Sequence, residues 1–274
     1  MTQLVRAFID GKYREQALPG SDCEVMPGVR WGRFEELFTP AYWVSQLWMR
    51  SVALAPQTHR LGETLQEEVA ACIVGGYGIP AEVGLAAFTR LKETGLLAEP
   101  GIKENDFLCA LQQPLVLKNK TIRYRFAKQK ARYLHGTLEK LWSDSPPNDS
   151  DQTFRNWLLQ LPGIGLKTAS WITRNWLDSD QVAVIDIHIH RAGILAGFFS
   201  RTDYVQSDYL SMEEKYLNFA RGIGVRPSIL DAFIWLDMKM AGPLARSMVD
   251  EKPRSTGKAA RRDISVRHMA RSSA

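Results

Sequence analysis

The chain is predicted to be mainly α. Three observations carry that expectation: apolar residues return at helical spacing along most of the chain, capping and stop residues punctuate them, and strand signals are few. With 274 residues it can bury a sizeable core, as one domain or as two interleaved subdomains.

The elements follow in order. Residues 1–40 are Gly- and Pro-rich and poorly periodic, with a short hairpin expected at Phe8-Ile9-Asp10-Gly11-Lys12-Tyr13. Thr39-Pro40 reads as a cap with proline at the first helical position, opening a helix from Ala41 to about Leu54. A second helix runs from Glu63 to Val74 and stops at Gly75-Gly76. Pro80 opens a third, reaching about Glu93. A short helix covers Glu104 to Leu111, and Asn119 is expected to cap a long basic helix from Lys120 to about Trp142. Ser143 to Ser150 is a loop by its turn residues. Phe154, Trp157, Leu158 and Leu161 fall at i, i+3, i+4 and i+7, an amphipathic helix that feeds Leu161-Pro162-Gly163-Ile164-Gly165. Further helices are expected from Gly165 to Leu177, Asp186 to Ala196, Val205 to Ala220 and Pro227 to Met240. From Asp250 onward the chain is polar, basic and poor in aromatics, and is expected to be disordered.

Composition narrows the function classes. No apolar run approaches the roughly 20 residues of a membrane span, so no membrane partner is expected. The first residues lack the apolar stretch of a secretory signal, and a cytoplasmic protein is expected. Net charge is +5, but residues 250–274 alone carry +4, so nucleic-acid affinity in the body must come from a local patch. Lys118, Lys120, Arg123, Arg125, Lys128, Lys130 and Arg132 crowd one segment that could form such a patch or a merely solvated face. Cys23, Cys72 and Cys109 are scattered without a CxxC spacing, which argues against a disulfide framework or a four-thiolate metal site and for buried, reduced thiols.

The most informative stretch is Leu161 to Arg191. A helix, Leu-Pro-Gly-Ile-Gly and a second helix bring bare backbone to an anion. Gly163 and Gly165 are both expected to permit positive φ, and the second helix points its unpaired N–H groups at the same place. Lys167 sits just inside that helix, and Asp186 follows 19 residues later. An amine nucleophile and a carboxylate beside an anion-binding turn suit chemistry on a phosphate-bearing substrate. Lys167 also suits a plain phosphate contact, and Asp186 a plain helix cap. His188 and His190 stand at i and i+2, which do not share a helical face, so a metal pair is rejected; packing or surface is expected for His190.

The hairpin with Leu166-Lys167-Thr168-Ala169, together with Val184-Ile185-Asp186-Ile187-His188, resembles the helix–hairpin–helix DNA glycosylases of base-excision repair. The resemblance is strong over residues 154–199 and weaker over 63–240. It implies two helical subdomains with the active-site cleft between them. Residues 1–62 would be an N-terminal segment packing with the C-terminal helices, 63–185 a helical subdomain ending in the hairpin, 186–248 helices completing the second subdomain, and 249–274 a basic tail. A lysine at the position of Lys167 marks the members that both excise a base and cut the strand. Lys167 would attack the sugar and form a Schiff base, with Asp186 assisting deprotonation and stabilising developing charge. An amine with a reference pKa near 10.4 needs such help near neutrality. Leu161, Gly163, Ile164, Gly165 and His188 would contact the DNA backbone.

A base inside a duplex must be flipped out, and Tyr77, in Gly76-Tyr77-Gly78, falls at the family's plug position. A polar amide stands there in several relatives, so a buried tyrosine is the other reading. Asp231 and Trp235, at i and i+4, would line the base pocket or simply belong to a core helix. All three cysteines precede the hairpin, unlike the iron–sulfur branch, and the lysine argues against the adenine-specific branch. The resemblance therefore implies a monomer without cofactor, acting on duplex DNA with a damaged base, best 8-oxoguanine. A cation held by hairpin carbonyls, a modified pyrimidine as substrate and a non-catalytic DNA-binding module remain open.

Overall fold

The computed structural model describes residues 2–50, 59–76, 78–118 and 120–250. The N-terminal hairpin is longer than its short sequence signal. β1 (Thr2–Ile9) pairs antiparallel with β2 (Lys12–Pro19) along its whole length, closed by Asp10 and Gly11 at φ 51° and 71°. Two residues of positive φ are what a tight turn between twisted strands requires. Val5 and Leu18 turn inward, while Phe8 and Tyr13 meet edge-on at the exposed tip. A second small pair, β3 (Glu24–Met26) with β4 (Val29–Arg30), was not anticipated.

Helix starts follow their capping residues. Thr39 Oγ1 accepts from the Tyr42 N–H at 3.1 Å and Pro40 occupies the first turn of α1 (Pro40–Met49). The expected continuation to Leu54 falls on residues 51–54, outside the described residues. Thr64 caps α2 (Leu65–Val74) by accepting from Glu67 N–H at 3.2 Å. α3 (Ala81–Glu93) and α4 (Glu104–Gln112) follow near their expected limits.

The long basic helix from Lys120 is corrected. Leu115–Leu117 (β5) and Lys120–Ile122 (β6) form a hairpin, and α5 (Ala127–Ser143) begins seven residues later than expected. Alternating apolar and β-branched side chains favour strands here. Lys118 (φ 46°) turns the hairpin, and Phe126 (φ 63°) stops any helix from extending backwards. Asn119, the expected cap, lies outside the described residues.

Ser150 caps α6 (Asp151–Leu158), the hairpin follows, and α7 (Leu166–Leu177) leads through a loop to α8 (Ile187–Ala196). α9 (Tyr209–Gly222) starts later than Val205 because Tyr204 and Asp208 close a turn on each other: Asp208 accepts from Tyr204 N–H, and Asp208 N–H donates to the Tyr204 carbonyl, both at 2.8 Å. α10 (Pro227–Asp250) breaks at Gly242 (φ 44°), which precedes Pro243, so its first part ends close to the expected limit at Met240 and a second helical stretch continues to Asp250. None of these helices is long and apolar enough to cross a membrane. Of the three cysteines, all free, only Cys72 is buried; Cys23 and Cys109 are exposed, against expectation.

Two cores result. One joins the N-terminal segment (Val5, Trp31, Phe38, Trp43) to residues of α8, α9 and α10. The other gathers α2 to α7 around Ile73, Leu91, Leu134, Leu158 and Ile172. The segment between α7 and α8 leaves the second core and enters the first, where Ala183 and Ile185 are buried.

Candidate active site

The hairpin Leu159–Gly165 rests on α5. Leu161 and Ile164 are buried anchors, and the Pro162 carbonyl accepts from Thr137 Oγ1 at 2.8 Å. Gly163 (φ 78°) is exposed and its Cα faces Tyr133 so closely that a methyl there would overlap the ring. Gly165 departs from the expected positive φ. It is extended (φ −100°, ψ 177°), it is the N-cap of α7, and a methyl there would meet nothing within 4 Å. No side chain caps this helix end. Its first-turn amides have no partner within the helix, and an uncapped helix N-terminus suits an anion.

Lys167 is half-buried in the first turn of α7. Asp186 stands at the N-cap of α8, where one oxygen, Oδ1, accepts from the His188 and Ile189 N–H groups at 2.8 and 3.0 Å. The structural and chemical readings of this aspartate are thus compatible, because the cap engages a single oxygen. His188 shows which groups converge here. Burial pushes its pKa down, Asp186 pulls it up, and Arg191, Lys239 and Lys167 push it down again. Its Nδ1 is buried without a hydrogen-bond partner. The Trp235 ring meets His188 edge-on at 5.9 Å, and Lys239 Nζ lies 4.7 Å from the centre of the same indole. His190 packs near Phe199, 6.2 Å between rings. Among the described residues no group of three or more His, Cys, Asp or Glu side chains is placed to hold a metal ion.

The segment ahead of Asp186 has no regular secondary structure, yet it is buried, so its backbone groups need side-chain partners. They have them. Glu213 Oε1 accepts from Ala183 N–H at 2.9 Å and from Ser170 Oγ at 3.1 Å, while its other oxygen pairs with Arg155. Asp231 Oδ2 accepts from Val184 N–H at 3.3 Å and pairs with Arg174 Nη1 at 2.9 Å. The Tyr209 hydroxyl donates to the Ala183 carbonyl at 2.8 Å and accepts from Ile185 N–H at 3.3 Å. Arg174 also holds Asn175 Oδ1, and Asn175 donates to Glu68 at 2.7 Å, which in turn accepts from the Leu61 and Gly62 N–H groups.

Asp231 is therefore not free to line a pocket. It is buried under the Asp186 loop with its carboxylate engaged, and burial raises its pKa to about 6 against the pull of Arg174. The expected shared role with Trp235 does not arise, since Trp235 faces His188 and Lys239. Tyr77 lies outside the described residues; its neighbours Gly76 and Gly78 have φ of 82° and 74°. Near Gly78 stands the half-exposed Phe126 ring. Lys130 reaches back to donate to the Ile73 carbonyl at 2.7 Å, and its pKa is lowered by burial and then by Lys167. Lys118, Lys120, Arg123, Arg125, Lys128 and Arg132 are exposed, in the β5–β6 hairpin, in the link that follows it and in the first turns of α5.

Sequence reasoning missed Arg174, Glu213, Arg155, Tyr209 and Glu68. One signal was present: Lys167, Ser170 and Arg174 fall at i, i+3 and i+7, a polar stripe on one face of a helix.

Residues 61–225, more than half of the chain, match the family model described as 8-oxoguanine DNA glycosylase. An 8-oxoguanine DNA glycosylase/AP lyase from Saccharolobus islandicus is 34% identical over 126 residues, covering 42% of this chain and 60% of the relative. This chain thus spans less than two thirds of that relative's length. The 8-oxoguanine DNA glycosylase of Thermotoga maritima shares the fold at a TM-score of 0.56, with 22% identity over 76% of this chain and 98% of that one. The Methanocaldococcus jannaschii 8-oxoguanine glycosylase/lyase, solved with a 15mer DNA containing 8-oxoguanine, gives 0.52 and 19% over 73% and 96%.

Proposed function

The chain belongs to the 8-oxoguanine DNA glycosylase family, and from that premise we propose that it is a bifunctional glycosylase and abasic-site lyase acting on duplex DNA, with 8-oxoguanine as the excised base. The observation that carries this reading is the placement of Lys167 in the first turn of the uncapped α7 and of Asp186 at the N-cap of α8 with a single carboxylate oxygen engaged, both charges acting on His188.

Each step uses a group already placed. The hairpin backbone at Gly163, Ile164 and Gly165 grips the strand through its phosphates, with Leu161 anchoring the turn and the exposed part of the His188 side chain offering a further contact. Lys167 Nζ bonds to the sugar C1′ as the glycosidic bond breaks, and the departing base takes up a proton. Asp186, through the oxygen left over from capping, accepts the proton shed by the amine and stabilises the cationic sugar. Ring opening leaves an imine between Nζ and C1′. Removal of a C2′ proton then expels the 3′ phosphate. Trp235 supplies a face against which the flipped base stacks, and Tyr77 takes the plug position; the half-exposed Phe126 ring stands near Gly78. The cleft lies between the two helical subdomains, 63–185 and 186–248.

Borohydride trapping tests the reading. With duplexes carrying 8-oxoguanine, an oxidised pyrimidine, an abasic site or no lesion, covalent adducts are expected with 8-oxoguanine and the abasic site, and are lost in Lys167→Ala. An adduct that survives this substitution moves the nucleophile elsewhere. One that forms on the pyrimidine in place of 8-oxoguanine overturns the substrate. Absence of any adduct ends the Schiff-base mechanism.

A further inference from the structure

The Arg174–Asp231 pair lies away from the reacting atoms, yet it touches both pieces of the chain that carry them. Arg174 stands on α7 two turns after Lys167, on the same face. Asp231, on α10, pairs with Arg174 Nη1 at 2.9 Å and accepts from Val184 N–H at 3.3 Å. Val184 is two residues before Asp186, whose own side chain is fixed at the N-cap of α8. Both members of the pair are almost fully buried. Arg174 is held from behind by Asn175, and Asn175 by Glu68 of α2. The line Glu68–Asn175–Arg174–Asp231–Val184 runs from one core to the other behind the cleft.

We propose that Asp231 is a positioning residue, whose carboxylate holds Arg174 and the Val184 N–H together and so fixes the spacing between Lys167 and Asp186. The proposal rests on the reading of those two residues as nucleophile and partner. Its physical basis is the cost of an ionised group in the interior. Burying a guanidinium and a carboxylate is no better for stability than burying apolar side chains of similar size, so the pair has to be explained by geometry. Directional bonds to two separate segments fix a distance that non-directional apolar packing leaves soft.

Three variants and two readouts decide it. Asp231→Ala frees Val184 N–H and leaves Arg174 unpaired; trapping and excision are expected to fall on the order of 100-fold. Asp231→Asn keeps an acceptor for both donors and is expected to recover to within about tenfold of the native rate. Arg174→Met/Asp231→Leu removes both charges but leaves the Val184 N–H without its acceptor; it is expected to melt below the native protein and above Asp231→Ala, while remaining as slow as Asp231→Ala. Native rates in this double variant would overturn the proposal, as would losses in Asp231→Ala that match its unfolded fraction.

The second readout is independent of DNA chemistry. Among the charged groups that act on the His188 pKa, Asp186 is the one that raises it most. If Asp231 holds Asp186 in place, the His188 pKa followed by NMR falls in Asp231→Ala and returns in Asp231→Asn. An unchanged His188 titration overturns the proposal. A native protein that traps no DNA overturns instead the reading of Lys167, and leaves the His188 titration to decide on Asp231.

Discussion

Two irregular segments each lead into the N-terminus of a helix, and they are built in opposite ways. The hairpin before α7 is open: its N-cap is a glycine, no side chain bonds the first amides, and Gly163 and Gly165 are exposed. The segment before α8 is closed: Glu213, Asp231 and Tyr209 take the backbone groups of residues 183–185, and Asp186 caps its own helix. A helix end left uncapped is useful only to something arriving from outside, because its dipole and free N–H groups are already paid for by the fold. A helix end closed this tightly serves to hold one side chain still. Substitutions in the closed segment should therefore cost stability and chemistry, and substitutions in the open one should cost DNA affinity.

The sharpest test of the closed segment is Glu213→Ala. Arg155 would be left buried without its partner, and Ala183 N–H and Ser170 Oγ would lose their acceptor. Breaking one side of a buried pair costs about 3–5 kcal/mol. In a chain of this size that lowers the melting temperature by on the order of 10 °C. A melting temperature within a degree or two of native would mean that the segment is not held by its side-chain partners.

Gly163→Ala asks whether the open segment has a structural requirement of its own. Positive φ and the Tyr133 ring both exclude a side chain there, so a loss of roughly 1–3 kcal/mol is expected in denaturant unfolding. The open hairpin is thus open on one side only, with its back set tightly on α5. An unchanged midpoint would show that the turn relaxes freely away from Tyr133.

How much of this was legible in sequence depends on the range of the interactions. The hairpin, the lysine and the Asp186 cap are local patterns, and the cap residues Thr39, Thr64 and Ser150 mark their helices for the same reason. What closes the second segment is distant: Glu213 lies 30 residues from Ala183 and Asp231 lies 47 from Val184. No spacing rule connects such pairs. Asp231 was misplaced because an i, i+4 relation to Trp235 fixes a shared face but not which side of the cleft wall each reaches. The run from Lys120 read as a helix because strands of three residues, Leu115–Leu117 and Lys120–Ile122, are too short to show a period of two. Gly165 was assigned a positive φ from its residue type alone. Only the Lys167–Ser170–Arg174 stripe hinted at a buried polar face.

Acid should separate the two segments again. The Asp231 pKa is raised from 3.8 to about 6, chiefly by burial. A carboxyl with a raised folded pKa binds its proton more tightly when folded, so this group lowers stability as pH rises from about 4 to 6 and never through acidification. Its ionised form is the one that pairs with Arg174. The groups acting on it are Arg174 of α7 and Asp186 of the loop, and it in turn raises the pKa of Tyr209 and Tyr216 of α9. The trapping rate of the native protein, divided by that of Asp231→Asn, should fall toward one below about pH 6, by no more than the roughly tenfold that separates the two at neutral pH, while the melting temperature does not fall on this group's account. Taking the ratio cancels any group that titrates alike in the two proteins. A flat ratio from pH 7 to 5 would remove Asp231 ionisation from the mechanism.

The smallest expected effect on stability comes from closing the open end. Gly165 is already extended, at φ −100° and ψ 177°, with empty space where a side chain would go, so Gly165→Ser fits without strain. A serine hydroxyl at the N-cap accepts from the N–H of the second or third residue, which gives α7 the kind of closure Asp186 gives α8. Replacing glycine there gains only a few tenths of a kcal/mol, so melting should rise by about 1 °C. The same hydroxyl would occupy amides that a phosphate needs, and binding to damaged and undamaged duplexes should weaken alike, with a shallower salt dependence. Weakening confined to the lesion duplex would place Gly165 at the flipped base and not at the backbone. Stronger binding would mean that the open end of α7 is not where the strand is held.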